Sequence, residues 1–73
     1  MHIAVIEMEL NEKIKLLRKE RGLTQKQLAE GAVVDQSTIS YWEKGRQEPT
    51  AKQRKNLCNA LGITQQELFK DVG

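Results

Sequence analysis

Apolar residues recur at helical spacing near the start of the chain. Leu10, Ile14 and Leu17 stand at positions i, i+4 and i+7, which places them on one face of a helix. Gly22 follows them, and glycine readily adopts the left-handed conformation in which many helices end. The pattern predicts a first helix over about residues 10–21.

A four-residue helix-start signal occurs three times further along the chain. It has the form of a capping box, in which a threonine hydroxyl accepts from the third helical amide and a Gln or Glu side chain accepts from the threonine amide. Asp35 is a further candidate N-cap, without the reciprocal Gln or Glu. The three boxes are Thr24-x-x-Gln27, Thr50-x-x-Gln53 and Thr64-x-x-Glu67. Together these signals predict five short helices, at about 10–21, 25–31, 36–43, 50–61 and 65–69.

The apolar positions of these helices predict one small core and an all-α fold. The only run with strand character is Ile-Ala-Val-Ile at 3–6, which is too isolated to predict a strand. It is either disordered or an edge contact to a partner. The expected core residues are Leu10, Ile14, Leu17, Leu23, Leu28, Ala29, Ala32, Val34, Ile39, Trp42, Leu57, Cys58, Leu61, Ile63 and Leu68.

Composition narrows the class of protein. A chain of 73 residues forms at most one domain, with a core of small net stability. The single cysteine, Cys58, excludes an internal disulfide, and the single histidine, His2, is not part of a zinc-binding cluster. No apolar run approaches the roughly 20 residues of a membrane span, and residues 1–8 lack the features of a signal peptide. We expect a cytoplasmic protein without metal, cofactor or small-molecule ligand.

The basic residues are clustered, although the net charge is only +2. Two such clusters suit the phosphate backbone of DNA. Solvated helix faces explain them equally well at this point. The first cluster comprises Lys13, Lys15, Arg18, Lys19, Arg21 and Lys26, and the second comprises Lys44, Arg46, Lys52, Arg54 and Lys55.

The second and third predicted helices are short and joined by about four residues, so the third helix can project from the domain. Its inner face carries Ile39 and Trp42. Its outer face carries short or amide-bearing polar groups without a charge, whereas a purely solvating face more often carries Lys and Glu. Such donors and acceptors suit base edges in the major groove of DNA. These outer residues are Gln36, Ser37, Thr38, Ser40 and Tyr41.

Residues from about Leu10 to Phe69 resemble the phage-repressor and Cro-like helix-turn-helix family. The matching stretches are L-R-K-E-R-G-L-T-Q-K-Q-L-A-E at 17–30, S-T-I-S-Y-W-E-K-G at 37–45, Pro49, and A-L-G-I-T at 60–64. The resemblance implies a compact five-helix, lambda-repressor-like DNA-binding domain over residues 9–73. The start of the chain lies outside the resemblance, and we expect residues 1–8 to form an arm that is disordered or a short strand. It also implies that the third helix is the recognition helix.

Carried over by position, the resemblance assigns roles to individual residues. Gln36, Ser37 and Tyr41 are expected to face bases, and Thr38 and Ser40 to touch bases or nearby phosphates.

The phosphate contacts are expected at two other places. Gln25 and its N-cap Thr24 begin the second helix, where side chain and helix amides would hold a phosphate. Lys44 and Arg46 follow the recognition helix. Arg18 and Glu43 occupy the positions of a structural ion pair that the family often has between the first helix and the end of the third.

Two positions depart from the family pattern. Val33 stands where family members often have glycine, so either the turn is built differently or Val33 is strained, with Gly31 and Ala32 giving the chain freedom to adjust. Arg54 stands at a usually apolar position, where its alkyl stem covers the core or its charge reaches DNA, rather than a partner.

These features predict a dimeric repressor on a two-fold symmetric DNA operator, with Leu16 or Phe69 in the dimer surface. The alternative is a protein-interaction module, such as an antitoxin or antirepressor, that uses the same fold to bind a partner protein. An enzyme is not expected, because His2 has no partner and no histidine or other base stands near Ser37, Ser40 or Cys58 to activate a nucleophile.

Overall fold

Five helices lie within residues 8–69, the part of the chain that the computed structural model describes. The predicted all-α, five-helix architecture is confirmed, and every helix boundary lies within one residue of its predicted place. The prediction of an N-terminal arm falls largely on residues 1–7, outside the described residues. The helices are α1 (Leu10–Glu20), α2 (Gln25–Ala32), α3 (Gln36–Glu43), α4 (Ala51–Leu61) and α5 (Gln65–Phe69).

The three predicted capping boxes are confirmed. The hydroxyls of Thr24, Thr50 and Thr64 accept from the third helical amides at 3.0, 3.2 and 3.0 Å. The side chains of Gln27, Gln53 and Glu67 accept from the threonine amides at 2.9, 2.9 and 3.1 Å. Asp35 is the N-cap of α3 as predicted, but its side chain makes no cap hydrogen bond. The predicted cap position is therefore confirmed, but the carboxylate does not satisfy a first-turn amide of α3.

All five helices contribute to one core. Ile14, Leu28, Ile39, Leu57 and Leu68, one from each helix, are completely buried. Burial of such a side chain contributes roughly 1.5–3 kcal/mol relative to exposure. The remaining members are Ala29, Ala32, Trp42, Cys58 and Leu61, with Leu10, Leu17, Leu23, Val34 and Ile63 partly buried around them. The predicted core is therefore confirmed.

Helix α2 lies between α3 and α4 and touches both. A Cβ atom on Gly31 would stand only 2.9 Å from the Cβ of Ala60, so the glycine lets α2 and α4 approach closely. Gly31 and Ala32 are both part of the α2 helix. The expectation that they give the following turn its freedom was therefore wrong, because helical hydrogen bonding fixes them.

Val33 ends α2 in the left-handed conformation, with φ 61° and ψ 46°. The valine thus adopts a conformation that glycine takes more easily, at a cost of roughly 1–2 kcal/mol. Gly62 ends α4 with nearly the same dihedral angles, φ 72° and ψ 32°, without that cost. Val33 is 78% exposed, so packing of its side chain returns little of the strain.

Candidate nucleic-acid interface

The α2–turn–α3 unit is held from beneath by apolar side chains. Leu28 of α2 and Ile39 and Trp42 of α3 are at most 1% exposed. Val34, in the turn, is half-buried against the same core. These buried contacts hold α3 in place and leave its opposite face in solvent.

The five predicted base-contacting residues share the outer part of α3 to different degrees. Gln36 and Ser37 are exposed, and Tyr41 is 42% exposed. Thr38 and Ser40 are half-buried at the sides of the helix. Helical spacing puts Gln36, Ser37 and Tyr41 together with Ser40 on one face, at i, i+1, i+5 and i+4. That face carries hydroxyl and amide groups and no charge.

Thr24 and Gln25 stand together at the start of α2, as its N-cap and its first helical residue. Thr24 uses its hydroxyl to cap the Gln27 amide, so the amides of Gln25 and Lys26 remain in the first turn without a helical acceptor. The helix dipole adds partial positive charge at this end. The side chain of Gln25 is half-buried and donates through Nε2 to Oε1 of Glu43 at 3.1 Å.

Lys44 and Arg46 lie immediately after α3, and both are exposed. The backbone of this loop is tied to the helix, because the amides of Lys44, Gly45 and Arg46 donate to carbonyls of Ser40, Trp42 and Tyr41 at 3.0, 3.1 and 2.9 Å. Two cationic side chains are thereby held at the end of an uncharged helix face.

Arg18 and Glu43 are in direct contact, as their positions predict. Arg18 Nε and one terminal guanidinium nitrogen donate to the two carboxylate oxygens at 2.6 and 3.2 Å. The side chains are only 12% and 3% exposed. The other terminal nitrogen of Arg18 donates to the Leu23 carbonyl at 2.9 Å. The pair therefore joins α1, the turn before α2 and the end of α3.

Asn11 is a contact that the sequence did not reveal. Its Nδ2 donates to the carbonyl oxygen of Glu43 at 3.4 Å, 32 positions along the chain. It lies against Gly45 as well, since a Cβ on that glycine would stand 3.4 Å from the Asn11 side chain. No local signal marks such a bond, which depends on how α1 crosses the end of α3.

Two further arginines of the basic clusters, besides Arg18, have structural partners. Arg21 donates through Nε to the carbonyl of Leu61, at the end of α4. Arg54 donates to the Pro49 carbonyl at 3.3 Å and places its guanidinium 4.9 Å from the centre of the Phe69 ring. Arg54 is half-buried, which agrees with the interpretation that it covers the core. The basic clusters are thus partly structural.

Three features of the described residues bear on other kinds of site. Residues 8–69 contain no group of three or more His, Cys, Asp or Glu side chains placed to hold a metal ion. No helix in that range has the length and apolar character of a membrane span. Cys58 is buried in the core, and burial raises the pKa of its thiol.

A family model described as "Helix-turn-helix" (HTH_3) matches residues 14–68. The chain belongs to this helix-turn-helix family. The match spans α2, the turn and α3. Curated relatives of the chain are described as transcription regulators, which agrees with the expectation that this helix-turn-helix protein is not an enzyme.

Two curated relatives illustrate the range of the family. The "HTH-type transcriptional activator BcrR" of Enterococcus faecalis is 41% identical over 85% of this helix-turn-helix chain. The "Immunity repressor protein" of Bacillus phage phi105 is 41% identical over 77% of it. The chain spans 30% and 39% of the lengths of these two relatives.

A solved structure supports the same fold. The P22 c2 repressor protein, crystallised in complex with a synthetic operator, superimposes with a TM-score of 0.82 at 28% identity. The similarity covers 88% of this helix-turn-helix chain and 97% of the repressor chain. The resemblance to phage repressors that the sequence indicated is therefore confirmed.

Proposed function

We propose that this helix-turn-helix chain is a sequence-specific double-stranded DNA-binding transcriptional regulator. The observation that carries the proposal is the outer face of α3, where Gln36, Ser37 and Tyr41 are exposed on a helix whose opposite face is anchored by Ile39 and Trp42. A face of this kind carries no carboxylate that the phosphates would repel, and it offers hydrogen-bond donors and acceptors to base edges in the major groove. Thr38 and Ser40, at the sides of the face, contact bases or adjacent phosphates.

Phosphate contacts flank this face in the proposal. The first-turn amides of α2, with Thr24 and Gln25, hold one phosphate. Lys44 and Arg46 contact the backbone after the recognition helix. Their positions fit because Gln25 begins α2, which packs against α3, and Lys44 and Arg46 closely follow α3. Each contact would place the recognition helix in the groove rather than select a sequence.

We further propose that the chain binds as a homodimer. Two copies place their recognition helices about 34 Å apart, one helical turn of DNA, over a two-fold symmetric operator. Leu16 is 43% exposed on α1, and Phe69 is half-buried at the end of α5 beneath Arg54. These apolar side chains are the candidate contacts between the two copies.

A protein bound to an operator near a promoter blocks polymerase, so repression is the regulatory output we favour. We place this activity in the cytoplasm. The phage immunity repressor among the relatives supports this sign. The relative described as an activator shows that the same kind of domain serves either sign. The position of the operator relative to the promoter then decides between them.

Selection of binding sites from random duplex DNA tests the proposal. We expect an enriched half-site that recurs with two-fold symmetry at a spacing of one helical turn, and an affinity that falls steeply with salt concentration. Enrichment of a single half-site would leave DNA binding intact and contradict the dimer. Failure to enrich any sequence, with weak binding that is insensitive to salt, would instead favour the protein-interaction module.

A further inference from the structure

The carboxylate of Glu43 lies where three helices meet. It accepts from Arg18 of α1 at 2.6 and 3.2 Å and from Nε2 of Gln25 of α2 at 3.1 Å, while Glu43 itself ends α3. The Glu43 side chain is only 3% exposed. An ionised acceptor in such a site makes stronger hydrogen bonds than a neutral one. Glu43 therefore has two distinct partners, and the second is a residue proposed to contact DNA.

The start of α2 differs from the starts of α4 and α5 in this respect. All three helices begin after a threonine capping box. Their first helical residues are Gln25, Ala51 and Gln65. Ala51 and Gln65 are exposed, whereas Gln25 is half-buried and bonded to α3. The bond between Gln25 and Glu43 is thus a tertiary contact and not a general feature of this kind of helix start.

One donor of the Gln25 amide remains after the bond to Glu43. A glutamine amide has two N–H donors, of which Glu43 takes one. The second is left for another acceptor, and Gln25 is the first residue of α2, whose first-turn amides would bind an anion. The bond restricts the rotation of the side chain in the free protein, so less side-chain freedom is lost when a phosphate binds.

We infer that Glu43 is a positioning residue for DNA binding, which holds the Gln25 amide in the orientation that donates to a DNA phosphate. This inference rests on the proposed function. Because the carboxylate belongs to the recognition helix, it fixes the distance between the phosphate held by α2 and the bases faced by α3. The buried ion pair with Arg18 then serves stability and DNA binding together.

The test compares the cost of Gln25→Ala in two backgrounds, measured as the dissociation constant for a selected duplex. In the natural background we expect about a tenfold loss, typical of a hydrogen bond to a charged group. Arg18→Met with Glu43→Met replaces the ion pair by apolar side chains and removes the acceptor of Gln25. In that background Gln25→Ala should change the affinity by less than about twofold. An equal cost in both backgrounds overturns the inference.

Two controls separate positioning from a purely structural role. Glu43→Gln retains an oxygen acceptor for Gln25, so the cost of Gln25→Ala should persist there. Gln65→Ala removes the exposed side-chain amide at the first position of α5 and should leave the affinity unchanged in every background. If the double methionine variant fails to fold, Glu43→Asp withdraws the carboxylate by one methylene and takes its place in the comparison.

A measurement without DNA makes the inference independent of the affinity. NMR relaxation of the Gln25 side-chain amide should show an ordered group in the natural chain and a mobile one when Glu43 is replaced by methionine or aspartate. The Gln27 side chain, which accepts from the Thr24 amide, is the internal reference. A Gln25 amide that is equally mobile throughout overturns the inference. Absence of salt-dependent duplex binding by the natural chain would refute the proposed function alone.

Discussion

Gln36 stands at the first position of α3 in solvent, while Ile39 and Trp42, three and six residues later, are buried. The side chains on the two faces of one helix are therefore constrained differently. A substitution on the outer face should change binding without changing the core, and a substitution on the inner face should unfold the domain.

Gln36→Ala should relax the preference for one base pair in each half-site and weaken binding to the preferred operator by about 1–3 kcal/mol. The loss arises because a bidentate contact of the amide with a base edge disappears. Competition against operators substituted at each position measures the profile. Gln66→Ala, in the exposed part of α5, is the matched control. A preference profile that Gln36→Ala leaves unchanged would rule out this helix face as the reading surface.

Arg46→Ala should weaken binding to all duplexes alike, because a phosphate contact carries no sequence information. We expect the slope of log affinity against log salt concentration to become shallower by about 0.9. Lys15→Ala, which removes an exposed cation of α1 outside the proposed interface, should leave the slope unchanged. A loss confined to particular sequences would argue against a phosphate contact by Arg46.

Val33→Gly should raise the free energy of unfolding by about 1 kcal/mol. Glycine relieves roughly 1–2 kcal/mol of left-handed backbone strain in the folded state. Part of this gain is lost because glycine also increases the conformational entropy of the unfolded chain. For a domain of this size the midpoint temperature would rise by roughly 4–8 °C. Val34→Gly is the control and should lower it, since Val34 is packed against the core. A lower midpoint for Val33→Gly would show that the turn is not strained.

Among the elements, α2 and α4 approach each other closely at Gly31. Gly31→Ala places a methyl group 2.9 Å from the Cβ of Ala60. We expect it to destabilise the fold by roughly 1–3 kcal/mol, although alanine is intrinsically the better helix former by about 1 kcal/mol.

Ala60→Gly in the same chain should recover part of that loss. The double variant is then more stable than the sum of the two single changes predicts, which denaturant unfolding of all four proteins measures. Gly22→Ala provides the control, because its added Cβ would have no neighbour within 4 Å. Its cost should add to that of Ala60→Gly. Additivity for the Gly31 and Ala60 pair would contradict the close approach.

The elements were predictable from the sequence to the extent that their signals are local. Thr24, Thr50 and Thr64 each fix a helix start through residues three positions away, and Leu10, Ile14 and Leu17 define a helix face by their spacing. The position of Arg18 beside Glu43 was implied by resemblance and agrees with the geometry.

The remaining contacts depend on how the helices cross and have no local signal. Gln25 was expected to face a phosphate, and its bond to Glu43, 18 positions away, could not be seen in the sequence. Gly31 was interpreted as a source of flexibility, whereas it is the place where α4 approaches α2. Asn11 was not singled out, although it joins α1 to the end of α3.

On the scale of the whole molecule, one core joins all five helices, so the core should open as a single cooperative unit. Cys58 is 4% exposed within that core, and burial raises the pKa of its thiol. The natural fold therefore withholds both access and the reactive thiolate from a thiol reagent. The rate at which Cys58 is labelled reports the population of the opened, unfolded domain when closing is faster than labelling.

Operator DNA should protect Cys58 from labelling, although no DNA contact is proposed for α4 at that residue. At a free operator concentration of about 100 times the dissociation constant, labelling should slow by roughly 100-fold, because DNA binds only the folded state. A scrambled duplex at the same concentration is the control. Equal labelling rates with operator and scrambled duplex would contradict sequence-specific binding by the folded domain.

Trp42 is the sole tryptophan of the chain, and its ring lies in the core on the buried face of α3, the helix that also carries Gln36 and Tyr41. The fluorescence of Trp42 is therefore an intrinsic probe of the packing of α3. Emission from a buried indole shifts to longer wavelength when water reaches the ring. A change in the seating of α3 would therefore register in the native fluorescence, with no dye attached, and could be timed as DNA is added.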